Sequence, residues 1–327
     1  MKTEKPIVLN GIGWTITVTR NMSFWHQYLS NEGHFHNTKD FGIKARLEVL
    51  TLTVDGTEAT AFINQPNLKK YVRALMDVVN SKSGITRLKQ KYQKYAEEIL
   101  ISLEKLKLHL TLNNWKKFLN NYKRFCAGLQ ITTMIGRAGG EMLAKNVKDA
   151  GFRVQEIPEI IASITYPNEH TPLFNSRMDL LTIGKKIQDK KLDDKKIYGD
   201  LKKWLLKYQH IPVNFCEEPW TLSDVKQQLN DILRKNCSRE LAALKISHNN
   251  RIKKAKNLLK KIDNNKIAIL ALAISEGTYL NEFRKNIFSK VSLEYREVFK
   301  KIAEIGSSNN WRDCFYLTPN EMTDIIN

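Results

Sequence analysis

Ile85, Leu88, Tyr92, Tyr95, Ile99, Leu103, Leu106 and Leu110 recur at steps of three and four residues. At 3.6 residues per turn these side chains fall on one side of a helix, in an apolar stripe about seven turns long. Neither Pro nor Gly interrupts it. A helix of this length must bury its stripe against other helices, which constrains the fold more than any other feature of the chain. From Asn67 onward the pattern predicts helix almost throughout. Leu112 to Leu143 continues it with interruptions at Gly136, Gly139 and Gly140, and Gly151 and Pro158 mark breaks. Ser176 to Lys190 reads as a helix with Ser176 and Asp179 at capping-box spacing, followed by Lys195 to Tyr208. Leu222, Val225, Leu229 and Ile232 begin another, and Ile252, Ala255, Leu259 and Ile262 resume the stripe. Lys266 to Lys290 is apolar nearly all round at its start, and Ser292 to Ile305 forms a further helix. Thr318-Pro319-Asn320-Glu321 is a capping box with Pro at the first helical position.

The first 64 residues have a different period. Trp14 to Thr19 is dominated by β-branched residues, and Ala45 to Val54 and Thr57 to Ile63 flank Asp55-Gly56, the signal of a tight hairpin turn. Met22 to Leu29 reads as a short helix between these runs. The expected fold is mainly α (α+β), with a small β-rich N-terminal part, residues 1–64, packed on a large helical bundle formed by residues 65–327. There is no repeat of fixed period.

Charge narrows the function classes without choosing one. The 327 residues carry 53 Lys and Arg against 34 Asp and Glu, a formal charge of +19. Residues 1–64 are balanced, so the excess lies in the helical part. Such a surplus suits nucleic acid or another anionic surface. Lys outnumbers Arg by 39 to 14, however, and Lys marks planar phosphate recognition less well than Arg. The longest apolar run, Ile267 to Ile274, is far short of a membrane span. The N-terminus lacks the apolar core and cleavage site of a signal peptide. Four scattered cysteines without a CxxC pair argue against a disulfide framework or a structural zinc site, which leaves the cytoplasm as the expected location.

Few constellations point to chemistry. His26, His34 and His36 lie close in sequence, but no carboxylate or Cys stands at a ligand spacing, so no metal site is expected, and Gly33 beside them suggests a turn. Gly136-Arg137-Ala138-Gly139-Gly140 lacks the spacing of a phosphate loop and reads as close helix packing or a kink. Arg284 follows a buried apolar run and requires an anionic partner, with Glu276 and Glu282 in reach, or a ligand phosphate or carboxylate. The segment His210 to Trp220, with two Pro, is the most irregular stretch and reads as a loop. An apolar pocket near Trp204, Phe215 and Trp220 would mark a small-molecule or partner-docking module, whereas core packing is the plainer role for these aromatics.

Five stretches, in order, resemble one family. They are Val18-Thr-Arg-Asn-Met-Ser23, Asn175-Ser-Arg-Met-Asp-Leu-Leu-Thr-Ile-Gly-Lys-Lys-Ile187, Lys207-Tyr-Gln-His-Ile-Pro-Val-Asn-Phe215 with Pro219-Trp220, Tyr279-Leu-Asn-Glu-Phe-Arg-Lys285 and Phe315-Tyr-Leu-Thr-Pro-Asn-Glu-Met322. The set is similar to the helical middle segment of PEP-utilising enzymes, the group of pyruvate phosphate dikinase and phosphoenolpyruvate synthase. The resemblance implies phosphoryl transfer through a histidine on a swivelling domain, in cis or in trans. Neither that domain's histidine motif nor a nucleotide-grasp domain is found in this chain. ATP or PEP and Mg would belong to those other domains, leaving no cofactor here and no activity for this chain alone. The implied role is to bind a small-molecule acceptor and dock the swivelling domain. Arg20, His210, Asn214, Arg284 and Lys285, polar residues within the matching stretches, are the expected substrate-facing residues. Phosphoryl transfer depends on positioning and charge neutralisation, for which Arg and Lys are suited. A non-catalytic basic helical protein binding nucleic acid is the alternative, and no membrane role is expected.

Overall fold

The computed structural model describes residues 7–9, 11–21, 23–53, 58–190, 193–213 and 217–327. The chain is mainly α-helical with one small antiparallel sheet. Strands β1 (Ile7–Leu9), β2 (Ile12–Asn21), β3 (Val49–Thr53) and β4 (Glu58–Asn64) are arranged in the order β1-β2-β4-β3. The β3–β4 hairpin expected from the sequence is present, with Val49 opposite Ile63 and Thr53 opposite Ala59, while its Asp55-Gly56 turn lies outside the described residues. The register of β2 against β4 shifts between Ile16 and Val18, the signature of a bulge.

The helices are α1 (Phe24–His36), α2 (Gln65–Val79), α3 (Lys82–Leu108), α4 (Leu112–Cys126), α5 (Leu129–Asp149), α6 (Ile157–Ile164), α7 (Pro172–Gln188), α8 (Asp194–Tyr208), α9 (Leu222–Leu233), α10 (Cys237–Ile262), α11 (Asn265–Ile305) and α12 (Pro319–Ile326). No described helix is long and apolar enough to cross a membrane. The change from strand to helix falls at Asn64–Gln65, where the sequence places it, but the compact units divide elsewhere. One comprises residues 1–142 and 294–327, and the other residues 143–293. Residues 1–64 thus share one unit with α2 to α4, the part of α5 up to Met142, and residues 294–327.

In the first unit, the sheet packs on α1 and α2, and α4 packs against α1 and α3. The stripe on α3 is buried from Ile85 to Leu106, as its periodicity requires. Trp25 is fully buried, with Tyr122, Tyr295 and Phe299 at 4.9, 5.3 and 5.5 Å between ring centroids. Edge and tilted contacts of this kind add to the large apolar area that each ring buries. Gly33 is not in a turn. It lies inside α1, where a Cβ would stand 2.3 Å from the carbonyl oxygen of Lys123 on α4, so the missing side chain is what lets the two helices meet.

The helical stretches differ from the sequence expectation at four joins. Helix α1 runs on to His36 rather than ending at Leu29. The break after Leu112 falls at Ala127-Gly128, where a Cβ on Gly128 would collide with the Tyr92 ring, and not at the later glycines. Gly136 and Gly140 sit within α5, where an added Cβ meets nothing within 4 Å, so they mark neither close packing nor a helix end. Residues 266–305 form one helix, because no Gly or Pro stands between Lys290 and Ser292 to stop it.

Candidate functional site

In the unit of residues 143–293, α7, α8 and α9 converge on a core of Leu180, Ile183, Leu201, Trp204, Val225 and Leu229. Helix α7 starts earlier than the sequence suggests. Thr171 caps it by accepting from the Phe174 amide, and Pro172 occupies the first turn. Ser176 is thus internal, its hydroxyl donating to the Leu173 carbonyl at 2.8 Å instead of capping. The Ser176 carbonyl also accepts from the Trp204 indole, whose Nε1–H donates to it at 2.8 Å and fixes the ring against α7. One turn further along α8, the Tyr208 hydroxyl donates to Asp179 at 2.7 Å, and Lys207 donates to the same carboxylate at 2.8 Å. Burial pushes the Asp179 carboxyl up, but the bonds from Lys207 and Tyr208 outweigh it and hold it below its ordinary value.

The loop after α8 returns to this face. The Trp220 amide donates to the Gln209 carbonyl at 3.0 Å, which brings the Trp220 ring onto Trp204, stacked at 5.5 Å between centroids and 25° between planes. Thr221 and Asp224 then start α9 with a reciprocal capping box. At the other end, the Gln188 side-chain amide donates to the carbonyls of Leu233 and Lys235 and its oxygen accepts from the Cys237 amide at 2.9 Å. That clasp ties the end of α7 to the start of α10. Gly184 makes the approach possible, since a Cβ there would stand 2.7 Å from the Cys237 sulfur.

Between these elements lies a cavity of about 430 Å³. Leu173, Leu180, Leu181, Trp204, Trp220 and Ile232 form its apolar lining. Its polar groups are Ser176, Arg177, Gln228, Asp231, Lys235 and Glu240, two cations and two carboxylates among them. A largely apolar hollow with a few polar groups at its edge is the usual form of a small-molecule site, and the volume falls in the range of such sites. The arrangement suits an amphipathic ligand, with a flat apolar body on the tryptophan pair and polar substituents toward Arg177, Asp231, Lys235 and Glu240.

Of the expected site residues, His210, Arg284 and Lys285 are not among the described residues that line the cavity. His210 is buried, its Nε2–H donating to the Asn286 side-chain oxygen at 2.8 Å, so it joins the loop to α11. Arg284 donates to Asn281 at 2.7 Å, while Glu282 pairs with Lys285 at 2.7 Å. None of these three lines the cavity, because their polar groups are engaged in bonds of the loop and of α11 itself. Arg20 stands in β2 opposite Ala59, its side chain outside the description, and Asn214 and Phe215 lie outside the described residues. The histidines near the N-terminus are taken up separately. His26 meets the Tyr122 hydroxyl at 2.5 Å, His34 meets Ser30 at 3.3 Å, and His36 lies 3.9 Å from Glu32. Among the described residues no three His, Cys, Asp or Glu are grouped to hold a metal ion. A second cluster in this unit is aromatic. His248 on α10 bonds the Tyr166 hydroxyl at 3.1 Å and packs against the His170 ring at 4.3 Å.

The sequence analysis singled out Trp204 and Trp220 but missed Arg177, Gln228, Asp231, Lys235 and Glu240. Arg177 lies within the stretch Asn175 to Ile187, and its step of three and four from Leu173, Leu180 and Leu181 is the one signal that could have placed it. Fold and cavity together define a mainly α protein with a small-molecule-sized hollow in one of its two units. No protein-family model matches the chain, and no curated protein has a sequence significantly similar to it.

Proposed function

We propose that this chain is the helical acceptor-binding and docking part of a PEP-utilising phosphotransferase, working in the cytoplasm with a swivelling phosphohistidine domain in cis or in trans. The observation that carries the reading is that two of the family-like stretches meet at one cavity. Ser176, Arg177, Leu180 and Leu181 come from the stretch at 175–187, and Trp220 from the stretch that follows α8. Packing alone does not require Arg177, an exposed cation, beside a stacked tryptophan pair. The acceptor lies on Trp204 and Trp220, and Arg177 and Lys235 neutralise charge on it or on an incoming phosphoryl group. Turnover belongs to the chain together with the phosphohistidine domain.

The test is ligand-induced stabilisation and tryptophan quenching of the full chain with phosphoenolpyruvate, pyruvate and a panel of aromatic alcohols. Binding by one compound, weakened tenfold or more in Trp220→Ala and Arg177→Gln, is expected. Binding that neither variant weakens, or none at all across the panel, would remove the cavity from the proposal. Phosphoryl transfer to the bound compound on addition, in trans, of a phosphorylated swivelling domain from a PEP-utilising enzyme is the second readout. Failure of transfer to a compound that does bind would leave a binding module without the phosphotransferase role.

A further inference from the structure

We infer that the solvent face of α4 is a binding site for the phosphate backbone of nucleic acid, independent of the cavity near Trp204. Residues 105–140 contain seven Lys and Arg and no Asp or Glu. Within this stretch α4 buries Trp115, Phe118, Tyr122 and Phe125 on one side. The remaining side forms a concave surface of about 610 Å³, lined by Lys116, Lys117, Lys123 and Arg124 together with Asn37, Asn113, Asn120 and Asn121. No carboxylate lines it among the described residues.

The composition of this hollow is that of an anion site. Its four cations form two pairs seven residues apart, about 10.5 Å along the helix axis. Phosphates of one duplex strand rise about 3.4 Å per step along the duplex axis, so with α4 lying along that axis the two pairs match phosphates roughly three steps apart. Asn120 and Asn113 lie on the same face, and their amides donate to phosphate or sugar oxygens as such side chains do in nucleic-acid complexes. Lys116 and Lys117 are exposed and form no ion pair among the described residues. Lys123 lies 3.6 Å from Glu32 and Arg124 lies 3.9 Å from Asp40, and neither carboxylate lines the hollow. Partly exposed pairs at these distances are weak and readily exchanged for a phosphate.

A solvated lysine-rich surface without a partner would show the same charge on other helices. Helix α10 supplies that comparison, since residues 241–262 also contain seven Lys and Arg and no acid. Lys253, Lys256 and Lys260 lie along its exposed face. Charge along the two stretches is equal, but the surfaces differ: the α10 hollow is lined by three Lys, two Asn and the apolar Ile252 and Leu259, whereas every described residue lining the α4 hollow is a Lys, Arg or Asn.

The experiment is fluorescence anisotropy of a labelled 20-base-pair duplex with the full chain at 50 to 200 mM salt. Four phosphate contacts give an affinity that falls about 150-fold over that range, and Lys116→Gln/Lys117→Gln, with two contacts left, about 12-fold. Lys253→Gln/Lys256→Gln removes the same charge from α10 and is expected to keep the steep dependence. All four positions are exposed, so circular dichroism of both variants should match the parent. Equal loss in the two double variants would show attraction to net charge alone and overturn the site. Absence of duplex binding at 50 mM salt would overturn it too, as would competition by tripolyphosphate at concentrations of phosphate where an unlabelled duplex does not compete.

Discussion

At Gly33 and Gly136 the same residue type does opposite things. Gly33 has no room for a methyl group, because the α4 backbone occupies the space. Gly33→Ala should cost about 2 kcal/mol or more, as overpacking against backbone does. Gly136 faces open space within a helix, so Gly136→Ala should stabilise by about 0.5–1 kcal/mol through the entropy of the unfolded chain. Urea unfolding of both variants checks the pair. His248 offers a pH test. Burial and then the neighbouring His170 hold its imidazole below its ordinary value. The unfolded chain binds a proton near pH 6.5 and the folded chain only lower down. Stability is therefore full above about pH 7 and declines as pH falls through 6.5 toward the folded value. Thermal unfolding between pH 7.5 and 5 should show that decline, and His248→Gln should flatten it. None of this was legible in the sequence, where Gly33 reads as a turn residue and His248 has no neighbour to mark it. Both depend on what another helix brings alongside.

The elements themselves were largely legible, since period and caps are local. The stripe of α3, the β3–β4 hairpin and the Thr318 capping box stand where the pattern places them. What failed was the joining of elements. A capping-box spacing at Ser176 and Asp179 was overridden by Thr171-Pro172 one turn earlier, and the glycines of α5 interrupt nothing. The cavity residues were mostly illegible for a related reason. Asp231, Lys235 and Glu240 are spaced like any solvated charges until Gln188 clasps the α9–α10 turn to α7. Gln188→Ala should cost about 1–2 kcal/mol, the loss of three hydrogen bonds that water partly replaces. Hydrogen exchange at the Cys237 amide should accelerate ahead of the amides in the middle of α10. An unchanged Cys237 rate would mean that the clasp does not hold the turn.

For the whole molecule, +19 of formal charge is a standing self-repulsion that only some local pairs relieve. Lys107 is one such point, with Glu294, Glu104 and Glu297 around it. Burial lowers its affinity for a proton, but these carboxylates more than restore it. Raising salt from 20 to 150 mM should increase the melting temperature, because repulsion across the molecule is screened more than contact pairs are. A melting temperature that falls with salt would mean that attractive pairs dominate instead. The division into units bears on how the chain reaches this state during synthesis. One unit is contiguous in sequence, and the other joins residues 1–142 to residues 294–327. At about 5–20 residues per second, the roughly 150 residues between them take about 8–30 s to emerge from a ribosome. Through that interval Trp25, Phe118 and Tyr122 wait without Tyr295, Phe299 and Phe315, the rings that complete their cluster. The N-terminal segment thus spends many seconds as a sticky, half-closed nascent chain, a natural client for chaperones that hold apolar surface at the tunnel exit.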